Sequence, residues 1–175
     1  STLGSIKKLT WYYLSNQYNY YNTNSNNFGY TFSGCTKLAS VTLSNNIERL
    51  APCMFSNSGI VTIELPSSLL RLNSAFAFCS KLAALNLPEK LTETGSFQQC
   101  SSLKSLIIPN GVTNLPEGYS GSYANDGCFQ DCANLTSITL PNQLATIPAS
   151  AFANCTSLST INIPNKVAEV GNWAF

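Results

Sequence analysis

Seven cysteines and no histidine set the first limits on the chemistry open to this 175-residue chain. A thiolate can act as a nucleophile, bind zinc or pair as a disulfide. Without an imidazole, though, the commonest general base and the usual partner ligand are missing. Cys128-x-x-x-Cys132 is the lone close pair, so no metal site is expected. Among the carboxylates, Glu117, Asp126 and Asp131 stand close enough in sequence to imitate an acid/base pair or a calcium loop. Asn125-Asp126-Gly127 reads more simply as a tight turn. No catalytic, metal-binding or cofactor-binding residue is assigned, and the expected class is non-enzymatic, with no cofactor. A carboxylate enzyme is the reading set aside.

The residues best suited to recognition are aromatic. All eight tyrosines, at 12, 13, 18, 20, 21, 30, 119 and 123, fall in the first 31 residues or in the stretch 116–128. Tyr mixed with Asn, Ser and Gly is the makeup of recognition loops, because Tyr offers a large amphipathic surface at low entropy cost. The candidate binding residues are therefore Tyr119, Tyr123, Tyr18, Tyr20, Tyr21 and Trp11. The N-terminal aromatics could instead cap the open end of a core. Tyr119 and Tyr123 lie mid-chain and have no end to cap.

What must position these loops is a repeat. Phe, Cys three residues on, then Leu, Ile and Leu or Ile, then Pro recur down the chain, most cleanly at Phe129, Cys132, Leu135, Ile138, Leu140, Pro141 and at Phe152, Cys155, Leu158, Ile161, Ile163, Pro164. Two further apolar marks follow each proline, Leu144 and Ile147 in one copy and Val167 and Val170 in the next. Phenylalanines at 32, 55, 76, 97, 129, 152 and 175 open the copies, and the unit is about 23 residues. Ser44 replaces the proline, Ser58 the cysteine, and Thr94 is a weak apolar mark. A unit this short cannot bury its own apolar face, so neighbouring units must stack around a shared core.

The alternation Leu-x-x-Ile-x-Leu before each proline predicts a short strand, and stacked copies predict a parallel sheet. Its outward residues, such as Ser40, Thr42, Thr62, Ser105, Ile107, Ser137 and Thr139, make a small, polar and nearly uncharged face. The second half of each unit is too short for a three-turn helix, and its β-branched marks favour extended or 3₁₀ pieces. The fold class is thus a solenoid with a parallel sheet on one face, short extended or 3₁₀ pieces on the other, and little α-helix.

Two organisational units follow: residues 1–31, a degenerate repeat or cap with a Tyr/Asn-rich loop, and 32–175, the repeats with an insertion at 116–128. The insertion adds about nine residues to the coil it interrupts. If Leu3 and Ile6 mark a zeroth repeat, residues 15–31 are a second insertion at the same edge, on the order of 20 Å away. Five cysteines share one repeat position, where a small buried thiol suits a tight corner and parallel Cβ directions oppose disulfides. Cys53 and Cys128 stand outside that column.

The pattern from Ala151 through Val170 resembles the leucine-rich repeat of the BspA type, known from surface proteins of bacteria and some protists, and the likeness runs over roughly 145 residues. The resemblance implies a right-handed leucine-rich-repeat fold, an extracellular or cell-surface setting, and adhesion to host proteins or other cells. The expected partner is an extracellular protein or a glycan; a spacer carrying another domain is the further alternative.

Composition narrows the rest. Charged residues are 10% of the chain and the net charge is +1, with the basic residues dispersed, so neither nucleic acid nor an anionic membrane is an expected partner. No apolar run is long enough to span a bilayer. A start at Ser1 suggests a processed or trimmed piece. The sequons at Asn134 and Asn154 fall on repeat positions, and nothing in the sequence sets an oligomeric state.

Overall fold

The computed structural model describes residues 31–117 and 127–175. In these residues the repeated phenylalanines form one continuous ladder. Ring centroids of successive members, from Phe32 to Phe175, lie 5.6, 5.6, 6.3, 5.7, 5.4 and 5.5 Å apart with nearly parallel planes. Phe55, Phe76, Phe97, Phe129 and Phe152 are fully buried. Burial of each ring stabilises the fold by roughly 1.5–3 kcal/mol, and each aromatic contact adds about 0.5–1.5 kcal/mol. The step from Phe97 to Phe129 spans 32 residues in sequence, yet its 5.7 Å spacing matches the others. The stack therefore stays closed across this longer interval.

Backbone bonds tie the same corner together. The N–H groups of Phe32, Phe55, Phe97, Phe129 and Phe152 donate to the carbonyl of the residue preceding the next phenylalanine, at 2.7–2.9 Å. A second bond leaves the residue two positions after each phenylalanine: Asn57, Gln99 and Asp131 donate to Ala77, Gln130 and Ala153 at 2.8–3.0 Å. These donors sit in the left-handed region, with φ of 54°, 58° and 61°. Asn and Asp tolerate that conformation better than other side chains, which explains their recurrence there as Asn57, Asp131 and Asn154.

The cysteine column lies directly beneath. Cys79, Cys100, Cys132 and Cys155 each donate an S–H to the carbonyl of the phenylalanine one coil earlier, Phe55, Phe76, Phe97 and Phe129, at 3.0–3.2 Å. A thiol is small enough for the corner and adds a second donor to a carbonyl that already accepts the backbone N–H three residues on, as Phe76 does from Cys79. All seven cysteines are free. Ser58 keeps a donor in the column at the coil that lacks the cysteine, 3.6 Å from Cys79 Sγ.

Two rows of parallel pairing run along the stack. In the first, β1 (Ser105–Ile107) pairs with β2 (Ser137–Thr139) in the register Ser105 to Ser137 and Ile107 to Thr139, and a parallel bridge from Thr62 to Ala84 continues the row. Proline ends each of these strands because it cannot donate onward. The second row joins Arg49, Arg71 and Glu93 by parallel bridges, and β3 (Thr146–Ile147) to β4 (Glu169–Val170). The second half of the unit is therefore extended and itself paired, and the described residues contain neither α-helix nor 3₁₀ helix, only single i→i+3 turns such as the Val112 N–H to the Pro109 carbonyl. Arg71 and Glu93 form an exposed ion pair at 3.8 Å, a contact worth little at a solvated surface.

Inward columns are filled as the repeat requires, by Leu50, Leu72, Leu115 and Ile147 among others. Thr94 takes a place in that column, and its buried hydroxyl has no hydrogen-bond partner among the described residues. In the last copy Leu158 and Ile161 are only half-buried and Ile163 is 40% exposed, because no further coil of the described structure lies over them. The insertion leaves and re-enters at adjacent points, where Glu117 and Gly127 form an antiparallel bridge. Gly127 is required there: a Cβ would sit 1.6 Å from the Ser150 carbonyl oxygen.

Candidate functional site

The outer face of the first row is the broadest regular surface available for recognition. Two columns cross it, one of Ser40, Thr62, Ala84, Ser105, Ser137 and Thr160, the other of Thr42, Glu64, Asn86, Ile107, Thr139 and Asn162, and every member is exposed. Glu64 is the single charge in these columns. Strand alternation on a backbone held by inter-coil bonds fixes the spacing of these side chains, so the face is preorganised.

At the edge of this face the strand ends open into a cleft of about 360 Å³. Its walls are Ile107 and Thr139 from the paired strands, Pro109 and Asn110 from one turn, Asn142 from the next, and Glu89 from the turn before. The Asn142 N–H donates to Asn110 Oδ1 at 2.9 Å and holds the two turns together. Gly111 borders the cleft where the equivalent residue of the following coils is Gln143 or Lys166. Those two side chains pair with each other across coils, so the gap is particular to Gly111. Ile107 was legible as an outward residue, but no pattern in the sequence marked Glu89, Asn110, Gly111 and Asn142 as neighbours.

The chemically reactive groups are put to structural use. Burial pushes the Cys79, Cys100, Cys128 and Cys132 thiols above their ordinary value, with neighbouring thiols adding to the effect at Cys100 and Cys132. Burial likewise pushes Cys155 up to about 11, against the opposing effect of a backbone hydrogen bond. A buried, protonated thiol is a poor nucleophile. Asp131 accepts from Asn154 Nδ2 at 2.8 Å across neighbouring coils, and Glu117 lends its backbone to the bridge that closes the insertion. The two sequons serve the same stacking: Asn154 through that bond, and Thr136 by donating to the Lys104 carbonyl at 3.0 Å. Among the described residues no group of three His, Cys, Asp or Glu side chains could hold a metal ion. Among them, too, no helix is long and apolar enough to cross a membrane. The aromatic candidates Tyr119, Tyr123, Tyr18, Tyr20, Tyr21 and Trp11, and Asp126, lie outside the described residues.

The repeat seen in these stacked coils is also matched by a family comparison. The model of the BspA type leucine rich repeat region matches six copies, over residues 5–123 and 122–175. The chain belongs to the BspA-type leucine-rich repeat family. Among solved structures it is similar to a leucine rich cell surface protein from Faecalibacterium prausnitzii A2-165, at 30% identity and a TM-score of 0.65, over 78% of this chain and 36% of that one. It is also similar to a leucine rich repeat protein of T. pallidum, at 30% identity and a TM-score of 0.71, over 82% of this chain and 64% of that one. The chain thus spans between about a third and two thirds of the length of these relatives. No curated protein matches it.

Proposed function

We propose that this BspA-type chain is a non-catalytic, adhesion-type segment of a secreted or cell-surface protein, a solenoid that binds an extracellular protein or glycan. The observation that carries the proposal is the sheet face: twelve outward positions in two exposed columns, nine of them hydroxyl- or amide-bearing and only Glu64 charged. Uncharged groups cost less to desolvate than ionised ones, and the face offers hydrogen bonds at fixed spacing, whereas a catalytic site needs a reactive group in a poised protonation state. The surface setting rests on family membership and on the cell-surface relative. The Tyr-rich stretches, with Tyr119 and Tyr123 foremost, are proposed as a second contact on the strength of their composition.

The test is binding of the purified chain to arrays of extracellular proteins and of glycans, beside the variant Ser105→Arg/Ser137→Arg. Both positions are exposed and adjacent in register, so the variant should fold normally and place two bulky cations on the face. Capture by the parent chain and its loss in the variant supports the proposal. No capture on either array favours a spacer.

A further inference from the structure

We infer that the cleft beside Ile107 holds one ring of a neutral glycan. The inference rests on the adhesion reading and names the part of the face that would read the ligand. The cleft is a permanent feature of this coil. A Cβ on Gly111 would come within 2.7 Å of the Leu91 carbonyl oxygen, so no side chain can fill the gap without a shift of backbone. Its volume of about 360 Å³ lies in the range of small-molecule sites.

The lining has two sides, and each matches one property of a sugar. Ile107 is 69% exposed at a place where other coils carry Thr42, Glu64, Asn86, Thr139 and Asn162. It is the one aliphatic platform in its column, suited to the C–H face of a pyranose. Glu89, Thr139, the register partner of Ile107, and Asn142 line the same cleft. None of these three side chains is engaged in a hydrogen bond or ion pair among the described residues.

That unspent hydrogen-bonding capacity decides between ligand classes. An aliphatic side chain from a protein partner would bury these groups without partners, which is costly. Sugar hydroxyls donate and accept at once, and can meet the carboxylate, the hydroxyl and the amide together. Glu89 is the one charged residue lining the cleft, and it repels sialylated, uronate or sulfated rings. A neutral sugar fits this lining.

The experiment is saturation-transfer NMR on the whole chain with galactose, glucose, N-acetylglucosamine and sialic acid as probes, repeated on Thr139→Arg and Glu89→Gln. Thr139 and Glu89 are both exposed, and unchanged melting temperatures verify that the fold is kept. Transfer from at least one neutral sugar and none from sialic acid is expected. Thr139→Arg should abolish it, and Glu89→Gln should weaken affinity about tenfold, the loss of one charge-assisted hydrogen bond. No transfer from any neutral sugar, or transfer unchanged in Thr139→Arg, overturns the inference. A captured extracellular protein that stays bound after enzymatic removal of its glycans, and to Thr139→Arg as well, overturns the sugar site and leaves the adhesion reading standing.

Discussion

Raising the pH from 8 to 10 should remove a large part of the stability of this fold, and the cause is the thiol column. Cys100, Cys128, Cys132 and Cys155 are held protonated by burial, Cys155 up to about 11 and the other three clearly above the ordinary 9.0. In the unfolded chain the same thiols ionise near 9.0. The folded state thus binds these protons more tightly. The stability they contribute is complete below pH 9 and drains away as the pH climbs from there through the folded values. Between pH 8 and 10 each such thiol forfeits roughly 1 kcal/mol, so four forfeit several, and Cys79, raised less, adds a smaller share. That is a large part of the stability of a typical domain, roughly 5–15 kcal/mol. Urea unfolding at half-unit pH intervals, under a phosphine reductant, gives the slope of stability against pH and hence the protons released. The slope above pH 9 should correspond to about four protons, and to about three in Cys132→Ser. The serine should fold, since Ser58 occupies the same column. A flat profile from pH 8 to 10, or a slope unchanged in Cys132→Ser, would refute the reasoning.

Native labelling with a thiol reagent at neutral pH should modify Cys35, the half-buried thiol, while the six buried ones react only on unfolding, read as mass increments. Phe129→Ala, which breaks the ladder on both sides, should cost about 4–5 kcal/mol in urea unfolding, against about 1–2 kcal/mol for Phe175→Ala, where the ring is 56% exposed and stacks on one neighbour. Equal costs would contradict a stack that is continuous past the insertion. Thr94→Val removes a buried hydroxyl without a partner among the described residues and should raise stability by about 1 kcal/mol, measured as a shift of the urea midpoint. Gly127→Ala should destabilise by about 3 kcal/mol or more, because its Cβ would overlap the Ser150 carbonyl.

Much of this fold is legible in the sequence because each coil repeats the same burial problem. Phe, Cys and the alternating Leu/Ile positions recur at fixed offsets, and those offsets alone place the ladder, the thiol column and the first sheet row. The outward positions follow by parity, and all of them are exposed. The second row is not legible in the same way. Arg49, Arg71 and Glu93 pair through backbone while their side chains stand in water, so no apolar alternation announces a strand there. The left-handed corner is masked by its occupants: Asn57, Asp131 and Asn154 hint at it, but Phe78 and Gln99 adopt the same conformation under the pull of inter-coil hydrogen bonds. The cleft is the least legible feature. It comes from one missing side chain at Gly111 and the meeting of three turns, and the residues that line it span 89 to 142.

Recognition by the sheet face is tested most directly by affinities for the strongest array partner. Surface plasmon resonance would compare the parent chain, Ser105→Arg/Ser137→Arg and Tyr119→Ala/Tyr123→Ala, each verified as folded by its urea midpoint. At least a tenfold loss in the sheet-face variant, about 1.4 kcal/mol or more, is the predicted result. Full affinity in that variant would contradict it, and a loss confined to the tyrosine variant would move recognition to the insertion.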